Sequence, residues 1–147
     1  MTISNKGLAL IKEFEQLRLT AYLPTPTDHW TVGWGHCGKD VHDGLVITES
    51  HAEELLQHDT DSVMLCLSRY VNVPTTQNQI DALCCLVFNV GTSSFIRSHL
   101  LTAINSGNME SARTNWLDWD HQGGVVLAGL KRRRETEWSL FTTPTAV

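Results

Sequence analysis

Three features of the chain predict an α+β fold, with a small antiparallel sheet near the N-terminus and a larger helical part after it. Residues 30–36, WTVGWGH, alternate large and small side chains with a period of two, as a half-buried strand does. Ala52, Leu55, Leu56, Val63, Cys66, Leu67 and Tyr70 recur at helical spacing over about five turns. The run 83–88, LCCLVF, is apolar nearly all round, which suits a helix at the centre of a core. The 147 residues are read as one domain, 1–147. Within it a sheet lobe spans about 16–47, a linking helix about 48–70, and a helical lobe about 71–142 packed with the helix 4–15. A chain of this length buries roughly two-thirds of its unfolded surface, so it needs no disulfide staples.

Taken in order, Ser4 caps a first helix through NKGLALIKEFE, where Leu8, Ile11 and Phe14 share a face; Gly7 weakens it without breaking it. At about 100° per residue, Glu15 lies about 40° from Ile11 and Glu13 about 200° away, so Glu15 is the inward carboxylate. LRLTAY follows as a strand or extended exit. LPTPTDH is irregular, because Pro24 and Pro26 lack the N–H a ladder needs. WTVGWGH is the next strand, with Trp30 and Trp34 on one face and small residues on the other leaving room for something to approach the backbone. GLVI adds a further short strand. The long helix starts at Thr48 or at Ser50, the latter forming a capping box with Glu53. After Pro74, Thr76 or Asn78 starts a helix that ends at Asn89 to Gly91. One helix is then expected through IRSHLLTAIN to Gly107, one through ESARTNWLDW capped by Asn108, a break at Gly123 and Gly124, a last helix through GLKRRRETEWSLF, and a frayed tail, TTPTAV.

Composition narrows the function. Cys84 and Cys85 are adjacent and, with Cys37 and Cys66, lack the spacing of a secreted framework; they read as reduced, mostly buried thiols of a protein made in the cytoplasm. A net charge of −5 gives no general support to nucleic-acid binding. The basic run Lys131 to Arg134 is followed at once by Glu135 and Glu137 and reads as a solvated helix face rather than a nucleic-acid patch. No apolar run reaches the ~18 residues of a membrane span, and residues 1–6 lack the pattern of a signal peptide. His36, Cys37, Asp40 and His42 lack paired ligand spacing, and His51 and His58 are too far apart on a helix for one ion, so no metal and no cofactor is expected.

Paired carboxylates are a further constellation to weigh. Glycoside hydrolysis needs one carboxylic acid kept protonated for the leaving oxygen and a second group to handle water. Glu15, leaning toward the apolar side of its helix, suits the acid role if desolvation raises its pKa; alternatively it pairs with a nearby Arg such as Arg18.

The segments IKEFEQLRLTAY, WTVGWGH, ITESHAEELL, LVFNVGTSSF and WLDWDHQGGVVLAGLKRRRETE, in this order over nearly the whole chain, resemble the phage-type lysozymes, the endolysins of glycoside hydrolase family 24. The resemblance implies a lysozyme-like fold with the site between the two lobes, and cleavage of the β-1,4 bond between N-acetylmuramic acid and N-acetylglucosamine in peptidoglycan. The family pattern is a Glu, an Asp or Cys nine residues on, and a Thr six further. Glu15 matches the general acid and Thr31 the Thr that helps hold the attacking water. The middle member departs: counting from Glu15 gives Pro24, counting back from Thr31 gives Thr25, and neither is a base. Asp28 is the sole carboxylate of that loop and the candidate replacement; alternatively Thr25 orients the water without taking its proton. Phe88 and Ser98 match saccharide-binding positions, and His36 with Asp59 matches an ion pair between the lobes. Some members of the family carry an N-terminal membrane-targeting segment and this chain shows none, so accumulation in the host cytoplasm, with release to the periplasm and cell wall through a separate holin-type protein, is expected, as is a monomer. A catalytically weakened, peptidoglycan-binding relative is the alternative, motivated by the departure in the loop.

Overall fold

The computed structural model describes residues 2–122 and 124–145. Helix α1 (Asn5–Glu15) leads into strand β1 (Arg18–Tyr22). Strands β2 (Thr31–Gly33) and β3 (His36–Cys37) complete an antiparallel sheet in the order β1-β2-β3. Helix α2 (Glu49–Tyr70) runs from the sheet, where it packs on β2 and β3, to helices α3 (Gln77–Val90) and α4 (Thr92–Ile96). Helices α5 (His99–Ser106) and α6 (Met109–Leu117), a two-residue hairpin of β4 (His121–Gln122) and β5 (Val125–Val126), and α7 (Ala128–Phe141) follow. The architecture is α+β as expected, a small antiparallel sheet beside a helical bundle.

Capping explains the boundaries. The Ser4, Thr48, Thr76, Ser98 and Asn108 side chains each accept a backbone N–H of the first turn that would otherwise be unpaired. Thr48, not Ser50, starts the long helix, and Thr76 with Gln79 forms a full capping box. Helix α3 forms the centre of the core: Leu83, Cys84, Cys85 and Leu86 are all fully buried. Trp116, Trp138 and Phe141 cluster beside it with ring centroids 5.1–5.5 Å apart. Gly7 has a packing reason: a Cβ there would lie 2.6 Å from Ile3 and 2.8 Å from Asp81, where α1 crosses α3. Asp81, fully buried, accepts from the Ser4 N–H and hydroxyl and from the Gln77 amide.

Four local expectations are corrected. WTVGWGH is not one strand: Gly33 and Gly35 take φ of +67° and +76°, and the chain reverses between β2 and β3. Trp34 therefore sits in the turn rather than on a strand face with Trp30. The GLVI strand is reduced to a single bridge, Thr20 to Val46, flanked by two hydrogen bonds to β1, because Thr48 opens α2 immediately afterwards. The helix expected over IRSHLLTAIN is two, because Ser98 ends one turn with a bond to the Phe95 carbonyl and caps the next. The tail is not free as far as Thr145: Asn78 donates to the Thr143 and Pro144 carbonyls and to the Thr145 hydroxyl. The rest of the expected frayed tail, residues 146 and 147, and the Gly123 half of the expected break lie outside the described residues.

Candidate active site

The C-terminal end of α1 delivers Glu15 to the sheet. The next residue, Gln16, has φ +54° and ψ +140°, the one positive-φ non-glycine among the described residues, and so redirects the chain straight into β1. Such a conformation costs about 1–3 kcal/mol. It fixes where the last helical side chain points. One Glu15 oxygen, Oε1, accepts from Arg133 Nη1 at 2.6 Å. The other, Oε2, lies over the β2–β3 turn, where a Cβ on Gly35 would stand 2.7 Å from it. The approach that small residues on WTVGWGH leave room for is therefore made by Glu15 itself.

Arg133 changes two expectations. Glu15 pairs with it rather than with Arg18, whose guanidinium stacks over Tyr22 at 4.3 Å. The surroundings of Glu15 thus include a buried cation and are not the apolar pocket expected. Nor is Lys131 to Arg134 a solvated face throughout: Arg133 and Arg134 are buried at 4% and 0% exposure. Glu137, itself fully buried, draws them inward. Its Oε2 accepts from Arg133 Nε at 3.2 Å, and its Oε1 lies 2.9 Å from Arg134 Nε. Burial lifts the Glu137 pKa, and the Arg134 and Arg133 charges oppose that rise. The sequence signal was Glu137 at i+4 and i+3 from the two arginines, a spacing that places all three on one side of a helix.

Thr31 sits at the start of β2, nearly buried, and donates its hydroxyl proton to the His29 carbonyl at 3.0 Å. Its oxygen lone pairs are left to accept from a water or sugar hydroxyl. The loop between β1 and β2 is a turn closed by Asp28 N to the Thr25 carbonyl at 3.0 Å. Asp28 is exposed; its carboxylate accepts from His29 N at 3.2 Å and lies 3.5 Å from the Thr25 hydroxyl. Its charge reaches Cys37: burial, then Asp59, Asp28 and Asp40, push that thiol up and keep it protonated. Phe88 lines a cavity of about 370 Å³ with Gly35, Cys37, Asp59, Val63 and Thr92. Ser98 lies apart from it, in a hollow of about 210 Å³ with Asn115 and Trp119.

His36 and Asp59 meet at 2.8 Å between Nδ1 and Oδ2, and Asp40 is a second partner that the sequence reading did not include, at 3.1 Å from Nε2. Both ring nitrogens face acceptors, so the doubly protonated ring satisfies them together. Burial alone would lower the His36 pKa, but the hydrogen bonds and charges of Asp59 and Asp40 outweigh it and hold the pKa above the ordinary value. A raised folded pKa gives stability that is full below the unfolded value, about 6.5, and is lost as pH rises through the folded value. Asp59→Asn is expected to lower the His36 titration midpoint followed by NMR and to reduce melting temperature at pH 5 more than at pH 9. An unmoved midpoint would remove the pair from this account.

Gly35 carries a separate prediction. Gly35→Ala puts a methyl against the tethered Glu15 carboxylate at a φ that L-residues avoid. A melting temperature several degrees below that of wild type is expected. An unchanged melting temperature would show that Glu15 need not sit where it does.

Residues 12–137 match the phage lysozyme family. The chain belongs to that family. It is 43% identical over 144 residues to an endolysin of Bacillus phage B103, covering 97% of this chain and 55% of that relative. It likewise covers 57% of an endolysin of Bacillus phage PZA, so it spans little more than half the length of these two relatives. It is 39% identical over 145 residues to an endolysin of Salmonella phage P22, covering 96% of this chain and 98% of that one. Among solved structures, the muramidase domain of SpmX from Asticaccaulis excentricus superimposes with a TM-score of 0.88 at 37% identity, over 97% of this chain and 99% of that one. A P22 lysozyme mutant does so with a TM-score of 0.82 at 38% identity, with the same coverage. This member of the phage lysozyme family therefore has its family's fold over its whole described length.

Proposed function

We propose that this chain is a muramidase of the endolysin type, cleaving the β-1,4 bond between N-acetylmuramic acid and N-acetylglucosamine in peptidoglycan. The observation that carries the reading is the Glu15 carboxylate at the junction of α1 and the sheet, held by Arg133 and facing the Gly35 turn. The names of its relatives, endolysin, lysozyme and muramidase, support the same reading.

In this mechanism protonated Glu15 gives its proton to the glycosidic oxygen as the bond to the muramic acid carbon breaks. The carboxylate left behind is met by the Arg133 guanidinium. A water accepted by the Thr31 oxygen attacks the sugar cation from the other side, and Asp28 takes the proton that this water loses. Phe88 and Ser98 contact the saccharide on the helical side, and Thr25 orients the water or a sugar hydroxyl from the loop. The His36–Asp59 pair ties the sheet to α2. The lobe boundaries near 16–47, 48–70 and 71–142 leave the cleft between the sheet and the helices.

A turbidity-clearing assay on outer-membrane-permeabilised Gram-negative cells, with muropeptides identified by mass, tests the reading. Binding to peptidoglycan without release of saccharide would instead favour the weakened relative, a reading favoured by the exposure of Asp28 and its bonds within its own turn. The loop is resolved by two variants. Asp28→Ala is expected to lose about 10²-fold in rate and Thr25→Ala less than about tenfold; near-full activity of Asp28→Ala would pass the role to Thr25. No helix among the described residues is long and apolar enough to cross a membrane. We place the protein in the host cytoplasm, as a monomer, until a holin-type partner opens the way to the wall; lysis that proceeds without a co-expressed pore former would overturn this route.

A further inference from the structure

The Arg133 guanidinium is held at each of its three nitrogens by a different group. Nε donates to Glu137 Oε2 at 3.2 Å, Nη2 to the Cys85 carbonyl at 3.0 Å, and Nη1 to Glu15 Oε1 at 2.6 Å. A planar guanidinium fixed at two nitrogens has the direction of its third determined. With the Cys85 carbonyl alone it could swing about that one bond. Glu137 is itself locked: Oε1 accepts from Trp116 Nε1 at 3.3 Å, Arg134 Nη2 lies 3.3 Å from Oε2, and Arg134 is anchored through the same nitrogen to Asn89 Oδ1 at 2.7 Å. Glu137 is fully buried and lines none of the hollows around the candidate site.

We propose that Glu137 is a positioning residue for the general acid, fixing the plane of the Arg133 guanidinium so that Nη1 holds Glu15 over the Gly35 turn. This rests on the muramidase reading, with Glu15 as acid. The arrangement runs in one line across the core, from Trp116 on α6 and Arg134 on α7 through Glu137 and Arg133 to Glu15 at the end of α1. A core that served packing alone would do as well with apolar side chains of similar volume in place of the Glu137–Arg134 pair. The charged pair has a different consequence: it gives orientation to a guanidinium one step from the reacting bond. Two successive turns of α7 contribute, with Arg133 and Arg134 in one and Glu137 in the next. Two carboxyl groups, Glu15 and Glu137, thus face two guanidiniums.

The test is steady-state hydrolysis of purified peptidoglycan by the full chain, with melting temperature measured alongside. Wild type and Glu15→Gln come first: an inactive wild type overturns the muramidase reading itself, and an active Glu15→Gln overturns the acid role of Glu15 on which this proposal rests. Given an active wild type, Glu137→Gln is expected to lower kcat about tenfold with KM unchanged. Should Glu137→Gln fail to fold, the charge-balanced double variant Glu137→Met with Arg134→Met takes its place. It removes the orienting pair, leaves Arg133 opposite Glu15, and is expected to melt at or above the wild-type temperature while showing the same kcat loss. Adding Arg133→Gln to either variant is expected to give the loss of Arg133→Gln alone, because Glu137 acts only through that guanidinium. Full kcat in the folded variants, a loss confined to KM, or losses that multiply when Arg133→Gln is added would each overturn the positioning role while leaving the muramidase reading standing.

Discussion

Glu15→Gln removes the proposed proton donor while keeping the side chain's shape and its contact with Arg133, and peptidoglycan hydrolysis is expected to fall by about 10²- to 10⁴-fold. The carboxamide oxygen can still accept from Arg133 Nη1, and the amide still fits over Gly35, so neither packing nor position explains the loss. In the proposed mechanism, what is lost is the ability to deliver a proton to the glycosidic oxygen as the bond breaks. The measurement is the rate of new reducing ends from purified sacculi, with circular dichroism to show an intact fold. Retention of more than about a tenth of wild-type activity would remove Glu15 from the acid role, because general-acid assistance alone is worth more than that.

Trp116→Ala is expected to destabilise the protein by about 3–5 kcal/mol, the usual cost of truncating a fully buried large aromatic side chain. Trp116 is completely buried and packs at 5.5 Å from Trp138 and 5.1 Å from Phe141, so α6 and α7 lose their shared contact. Its indole N–H also donates to Glu137, and the truncation leaves that buried carboxylate one donor short. Against a total stability of about 5–15 kcal/mol this is a large fraction, and the melting temperature should drop by about 10 °C. Trp116→Phe separates the two contributions, since it keeps most of the ring volume and loses only the donor. A drop of less than about 2 °C for the alanine variant would mean that the aromatic cluster is not what joins α6 to α7.

The particular residues show which parts of this fold a linear reading reaches. The α1, α2, α3, α6 and α7 segments were legible because capping residues and apolar periodicity are local: Ser4, Thr48, Thr76 and Asn108 each bond to backbone within three residues. The break at Ser98 was not legible, although the signal was present, because the flanking apolar residues keep helical spacing across it. The strand expected over WTVGWGH is two, since alternation suits a strand or a tight hairpin equally and the glycine conformations decide between them. Charges in a run usually lie at the surface; only the packing of α3 against α7, with fully buried Glu137 between them, turns Arg133 and Arg134 inward.

By itself the sequence determined where most of the helices lie, offered Glu15 and Thr31 as the two ends of the candidate site and paired His36 with Asp59, because each depends on local bonding or on a motif that can be matched residue by residue. Only the tertiary structure decided what stands against Glu15. Its partner comes from 118 residues away, at the other end of the chain. A contact of that separation leaves no local pattern; it exists because α1 and α7 both pack on α3, and that shared surface brings the Arg133 guanidinium within 2.6 Å of the carboxylate.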